Sequence, residues 1–353
     1  MSLHDRLLDT LQSVASVSLV SSLRDERLNL PGASELHVFI PDLHLITAQR
    51  RTSAHFLYGT NWLQGPDLLG NTVRALKGFK AGAAPGENVT VYQIGDLLDL
   101  WREVDGLNPN ADVASAIEDD HGALMEAFYD NDLNVQFLLG NHDYDLYRFA
   151  NYAAWGRSYH LSPSVLLLHG DIFDWVEALP AALKNFFVYL FSPGVKPTSN
   201  ELERMRPYNL QMRGGRQFPN YIQNAAPAPV GTPGHADQVA SAAGGAGTRY
   251  RFNVQVEGSS PANMLTFLDA AQRKCADANA QFANAAFKVV VIGHTHHARI
   301  ALRENGDDLF ALIDCGAWIE NCISEDSPNP QPNAQIAALG VNEARIYQLA
   351  PLP

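Results

Sequence analysis

KVVVIGHTHHARI, residues 288–300, runs from a block of β-branched residues straight into a turn that carries three histidines. Val289 to Ile292 are apolar without alternation, the pattern of a strand buried on both faces, as in a parallel sheet covered on two sides. A single histidine at the end of such a strand is more often a satisfied structural residue than a ligand. The fold and the chemistry therefore turn on whether other strands end in the same way.

They do. LHVFIPD (36–42), VTVYQIGD (89–96), NVQFLLGNHD (134–143), SVLLLHGD (164–171) and DLFALIDCGAW (308–318) are further apolar runs closing on polar or glycine-containing turns. Segments of helical spacing lie between them: 66–79, 111–129, and a stretch starting at Ser260 and Pro261, an N-cap and first-turn pair. Alternating strand and helix predicts an α/β architecture. Residues 1–34 read as an N-terminal helical extension, amphipathic and interrupted by serines and charges, unlike a signal peptide. Residues 35–353 read as one domain, with 176–260, rich in Pro, Gly, Ala and Asn from 193 on, as a cap or lid insertion within it.

Composition narrows the function. At 353 residues and 46% hydrophobic content the chain can bury a large core. No apolar run reaches the roughly 18–20 residues of a membrane span. Cys275, Cys315 and Cys322 form no CxxC pair, which predicts neither a disulfide framework nor a thiolate zinc site, and a cytoplasmic location. A formal charge of −13, without Lys/Arg clusters, argues against general nucleic-acid binding. It leaves room for an anionic small substrate, because bound divalent cations invert the field of an acidic pocket.

Five of the six strand ends carry metal-ligand side chains: Asp42 and His44; Asp96 and Asp99; Asn141, His142 and Asp143; His169 and Asp171; His294, His296 and His297. In an open α/β sheet the carboxyl ends of strands are where ligands bind. In an extended segment residues i and i+2 share a face, so Asp42 with His44, and His294 with His296, are each expected to present two ligands to one point. Carboxylates, imidazoles and an amide oxygen form a mixed N/O set suited to Mn, Fe or Zn. Seven candidate ligands from this set are many for one open catalytic ion and reasonable for two, the arrangement used for in-line attack on phosphorus.

The blocks DLH (42–44), GDLLD (95–99), GNHD (140–143), HGD (169–171) and GHTH (293–296) resemble, in order, the five motifs of the calcineurin-like metallophosphoesterase superfamily. The resemblance spans about residues 36–318. It implies a four-layer αββα sandwich with two metal ions at its strand ends. Position by position, it implies Asp42, His44 and His296 on one metal, Asn141, His169 and His294 on the other, and Asp96 bridging. His142 would be the general acid or transition-state stabiliser and Asp99 the residue fixing its tautomer. His297 falls outside the motif, and Arg299 is a weak candidate for reaching a substrate phosphate, a solvated arginine being the favoured reading. DCGAW (314–318) resembles the small-residue strand end that follows GHTH, with Asp where Asn is more usual, and is assigned a packing role.

The implied activity is hydrolysis of a phosphomonoester, phosphodiester or pyrophosphate by a metal-bridging hydroxide, on a phosphorylated small-molecule or lipid-like substrate. GDLLDLW departs from the GDxVDRG of the protein serine/threonine phosphatase branch. DLHL, GDLLDLW and HGD look nearer to bacterial UDP-2,3-diacylglucosamine hydrolases, which commonly have Arg where this chain has His142. A non-catalytic interaction module on the same scaffold is the alternative from another class.

Overall fold

A computed structural model describes residues 1–47, 67–100, 111–143, 146, 149–173, 248–253, 261–281, 285–324 and 327–353. The protein is α/β, with two mixed sheets and few helices. The first sheet has the order β1-β13-β12-β2-β3-β4, where β1 is Ser16–Leu23, β2 Glu35–Ile40, β3 Asn88–Ile94, β4 Gln136–Leu138, β12 Ser327–Gly340 and β13 Glu343–Ala350; β11 (Trp318–Ser324) pairs with β12. The second has the order β5-β6-β8-β10-β9-β7, where β5 is Ser158–Ser162, β6 Val165–Leu168, β7 Thr248–Asn253, β8 Val289–Ile292, β9 Ala298–Asn305 and β10 Asp308–Cys315.

Each sheet contains three consecutive parallel strands, at one end of the first sheet and in the middle of the second. β2, β3 and β4 run parallel in one, and β6, β8 and β10 in the other. The six apolar runs are β2, β3, β4, β6, β8 and β10, each shorter than its run because the polar ends leave the ladder to form turns. The helices are α1 (Leu3–Gln12), α2 (Leu68–Ala81), α3 (Ala111–Asp120), α4 (Gly122–Phe128) and α5 (Pro261–Gln281). Ser2 and Asp5 close a reciprocal capping box on α1, and Asp67 caps α2 by accepting the Gly70 N–H. The single helical segment expected over 111–129 is broken in two at His121, whose ring reaches the Ile46 carbonyl at 2.8 Å.

Residues 1–34 are not wholly helical. After α1 the chain enters β1, which pairs antiparallel with β13 at the edge of the first sheet, and α1 buries Leu3, Leu7 and Leu11. Alternating serines and apolar residues in SVSLVSSL suit an edge strand with one face covered. Of the expected 176–260 insertion, 248–253 is a strand of the second sheet paired with β9; the remainder lies outside the described residues.

Strand alternation sorts the core. Leu36, Val38 and Ile40 of β2 join Leu7 and Leu11 of α1, Val73 and Leu76 of α2 and Phe128 of α4 in one cluster. Phe39 faces the other way, into a second cluster drawn from both sheets, with Ile94, Val289, Val291, Ile313 and Leu339. Val290 and Ile292 leave that cluster for a third, with Leu268, Ala271 and Cys275 of α5. Removing such side chains from water contributes roughly 1.5–3 kcal/mol each, and it aligns the carboxyl ends of the parallel strands. No helix among the described residues is long and apolar enough to cross a membrane.

Candidate metal centre

The five ligand-bearing turns follow the carboxyl ends of β2, β3 and β4 in one sheet and β6 and β8 in the other. Main-chain bonds knit them together. Leu43 and His44 N–H both donate to the Asp96 carbonyl, at 3.0 and 2.9 Å; Gly293 N–H donates to the His169 carbonyl; and Trp318 N–H donates to the Asp42 carbonyl at 2.8 Å.

Three overlapping groups of side chains result, each with ligand atoms within 4.8 Å of one another and able to hold a metal ion: Asp42, His44 and His296; His44, Asp96 and His142; Asp96, His169 and His294. His296 Nε2 is 2.9 Å from His44 Nε2 and 3.3 Å from Asp42 Oδ2. Asn141 Oδ1 lies between His169 Nε2 at 3.1 Å and His294 Nδ1 at 3.0 Å. Asp96 Oδ2 lies between His169 Nε2 at 3.2 Å and His44 Nε2 at 3.7 Å. The seven ligand positions read from the sequence thus meet in one place.

They do not meet through strand alternation. His44, Asp96, His294 and His296 have φ of +47°, +50°, +69° and +62°, so the ligands sit in left-handed turns beyond the strand ends. Asp and His tolerate this region better than most residues, yet it still costs roughly 1–2 kcal/mol per L residue. Strain of this kind gathers at functional sites. Two glycines permit the close approach: a Cβ on Gly140 would stand 2.1 Å from Asp96 Oδ1, and one on Gly293 2.2 Å from Asp42 Oδ1.

Carboxylate partners set the tautomers. A carboxylate only accepts, so Asp99, fully buried, accepts Nδ1–H of His142 at 2.8 Å and Nδ1–H of His44 at 3.1 Å. Each ring, when neutral, then carries its lone pair on Nε2, which His44 directs toward His296 and Asp96. His169 Nδ1 faces the Ile94 carbonyl at 2.9 Å and donates to it. A neutral His169 would point an Nε2 lone pair at the Asp96 carboxylate and Asn141 Oδ1, which is repulsive unless positive charge lies between them.

The electrostatics repeat that demand. Burial opposes charging His169, but Asp96 and Asp42 outweigh it and push the ring up to about 10. Burial would raise Asp96, but the rings of His169, His142 and His44 hold it well below the usual carboxylate range. Burial pulls His44 down to about 4 despite Asp99, leaving it neutral and fit to ligate. Asp42 Oδ1 is buried and accepts no hydrogen bond among the described residues. A buried carboxylate oxygen left without a hydrogen bond is a group that a cation satisfies.

Several supporting residues have no counterpart in the motif reading. Asp143, inaccessible to solvent, accepts the N–H of Gly140 and Leu97 at 2.7 and 2.8 Å, tying the GNHD turn to GDLLD; burial and then Asp96 push it up to about 7. Arg157 donates to the Leu139 carbonyl and, at 2.8 Å, to Asp171 in a buried pair. Asp143 and Asp171 stand inside quoted motifs, whereas Arg157 carries no sequence signal. His297 joins none of the three groups; its N–H donates to Thr295 Oγ1. Arg299 is neither solvated nor open to a substrate: it is 4% exposed, with Nε 3.4 Å from the buried Asp314. Comparison with models of known protein families and with curated proteins finds no match.

Proposed function

We propose that the protein is a metal-dependent phosphoester hydrolase of the metallophosphoesterase type, acting on a phosphomonoester, phosphodiester or pyrophosphate. The observation that carries this reading is the position of Asp96 Oδ2, one carboxylate oxygen 3.2 Å from His169 Nε2 and 3.7 Å from His44 Nε2. A single acid thereby belongs to two ligand groups. Asp42, His44 and His296 would hold one ion and Asn141, His169 and His294 a second, with Asp96 shared; N and O donors without thiolate suit Mn, Fe or Zn. The succession of three apolar clusters, the middle one drawn from both sheets, supports the four-layer sandwich of that scaffold.

Such ions would supply Lewis-acid charge for the phosphoryl oxygens and a lowered pKa for water. The chain's own part is proton handling and orientation. His142 has 19% of its side chain exposed, more than His44, His169 or His296. With Nδ1–H held by Asp99, its Nε2 serves as donor to a leaving oxygen, while Asp99 stabilises the imidazolium form. The His142 N–H donates to Asp96 Oδ1 at 2.8 Å, which fixes this residue relative to the shared carboxylate.

The test is hydrolysis of p-nitrophenyl phosphate and bis-p-nitrophenyl phosphate by chelator-treated protein with and without added Mn2+. Turnover should depend on the metal and collapse in Asp96→Asn and His142→Ala. Activity no greater than in those variants overturns the proposal, and stoichiometric Mn2+ binding without any hydrolysis favours the interaction module.

A further inference from the structure

The GHTH turn serves two ligand groups at once. His294 points Nδ1 toward Asn141, within the group that contains Asp96 and His169, and His296 points Nε2 toward Asp42 and His44. Both have left-handed backbone, which persists only where its surroundings over-determine it. The two ends of the turn are tied: His294 N–H donates to Asp42 Oδ2 at 2.8 Å, and Asn333 Nδ2 donates to the His296 carbonyl at 3.1 Å.

The middle is held by Thr295. Its hydroxyl donates to Asp314 Oδ2 and accepts the N–H of His297 at 3.2 Å. Asp314 is fully buried near the end of β10, in register with Ile292 of β8 on one side and Arg299 of β9 on the other. Arg299, itself buried, brings Nε to 3.4 Å from the same carboxylate oxygen. Packing alone does not call for a carboxylate and a guanidinium here, because apolar residues of similar volume often replace a buried ion pair at no loss of stability.

We propose that Asp314 is a positioning residue for the metal centre: supported by Arg299 and acting through Thr295, it locks the GHTH turn so that His294 and His296 address different ligand groups. This rests on the metal reading above, and it replaces the packing role expected for DCGAW. Asp314 belongs to none of the three groups able to hold a metal ion, so its effect passes through the turn.

The test titrates Mn2+ into the chelator-stripped full-length chain by calorimetry, alongside metal-free thermal unfolding. Thr295→Val keeps the shape and removes the hydroxyl; it should bind Mn2+ about 10- to 100-fold more weakly, the usual effect of losing a partner behind a ligand. Metal-free unfolding measures the stability each variant loses without the ion, and a fall in affinity in protein still folded at the titration temperature separates positioning from general destabilisation. Thr295→Ser restores the hydroxyl and should restore the affinity. Asp314→Asn keeps an acceptor for Thr295 but removes the charge facing Arg299, and should fall between. Thr295→Ala is titrated in parallel in case the valine variant does not fold. Wild-type affinity and stoichiometry in either folded hydroxyl-less variant overturns the proposal. If the wild-type chain itself binds no Mn2+, the metal reading fails and this proposal with it.

Discussion

Asp99 holds two imidazoles with one carboxylate, and replacing it by Asn separates their roles. Both rings donate Nδ1–H to it, His142 to Oδ1 and His44 to Oδ2. Asn offers one acceptor and one NH2, so only one ring keeps its bond; the other meets a donor and must shift its proton to Nε2 or lose its anchor. A hydrogen bond to a charged group contributes about 1.5–3 kcal/mol, so losing one costs roughly 10- to 100-fold. Where the loss falls decides what is observed. If His44 is displaced, its Nε2 no longer offers a lone pair, and Mn2+ affinity falls by that factor. If His142 is displaced, the leaving group loses its proton donor, and phenyl phosphate should suffer more than p-nitrophenyl phosphate, whose leaving group departs without protonation. Calorimetry with Mn2+ and paired steady-state kinetics read the two effects separately. An Asp99→Asn protein that binds Mn2+ and hydrolyses both esters as the wild type does would refute the double clamp.

Three further outcomes follow from other parts of the molecule. His37 is buried with neither ring nitrogen hydrogen-bonded among the described residues, and desolvation lowers it from 6.5 to about 4. The unfolded chain therefore takes up the proton first, and stability that is complete above pH 6.5 is lost as pH falls toward 4, by about 3 kcal/mol in all; urea unfolding at pH 7 and pH 4 should show that difference shrinking in His37→Leu. Arg157→Met leaves Asp171 charged and buried, so unfolding free energy should drop by about 3–5 kcal/mol, while the double variant with Asp171→Leu regains most of it; a single variant as stable as the wild type would remove the pair from the argument. Gly140→Ala puts a methyl 2.1 Å from Asp96 Oδ1 and should cut the number of Mn2+ ions bound per chain, as measured by elemental analysis after gel filtration.

The parallel strands of both sheets were legible because strands buried on both faces write themselves as unbroken apolar runs, as Val289–Ile292 does. The antiparallel strands of the first sheet were not. β1 alternates serine with apolar residues, and β12 begins SPNPQP, which reads as a turn and becomes a strand only beside β11, β2 and β13. The ligand set was visible through residue type, whereas its geometry was not: extended spacing suggested a shared face for His294 and His296, and left-handed turns provide the actual presentation. Arg157 with Asp171, and Arg299 with Asp314, depend on which strands become neighbours, and no local pattern announces that.

The bond from His294 N–H to Asp42 joins residues 252 apart in the chain, and His296 reaches Asp42 and His44 over a comparable separation. Contacts of that span close late in folding. A nascent chain that has released β2, β3 and β4 from the ribosome still lacks both histidines of the GHTH turn, so two of the three groups able to hold a metal ion stay incomplete until β8 has emerged and docked. On the proposed metal-dependent function, full-affinity metal uptake would be a clock on the last long-range closure, and timing it against the recovery of secondary structure during refolding would report when the two sheets first come into register.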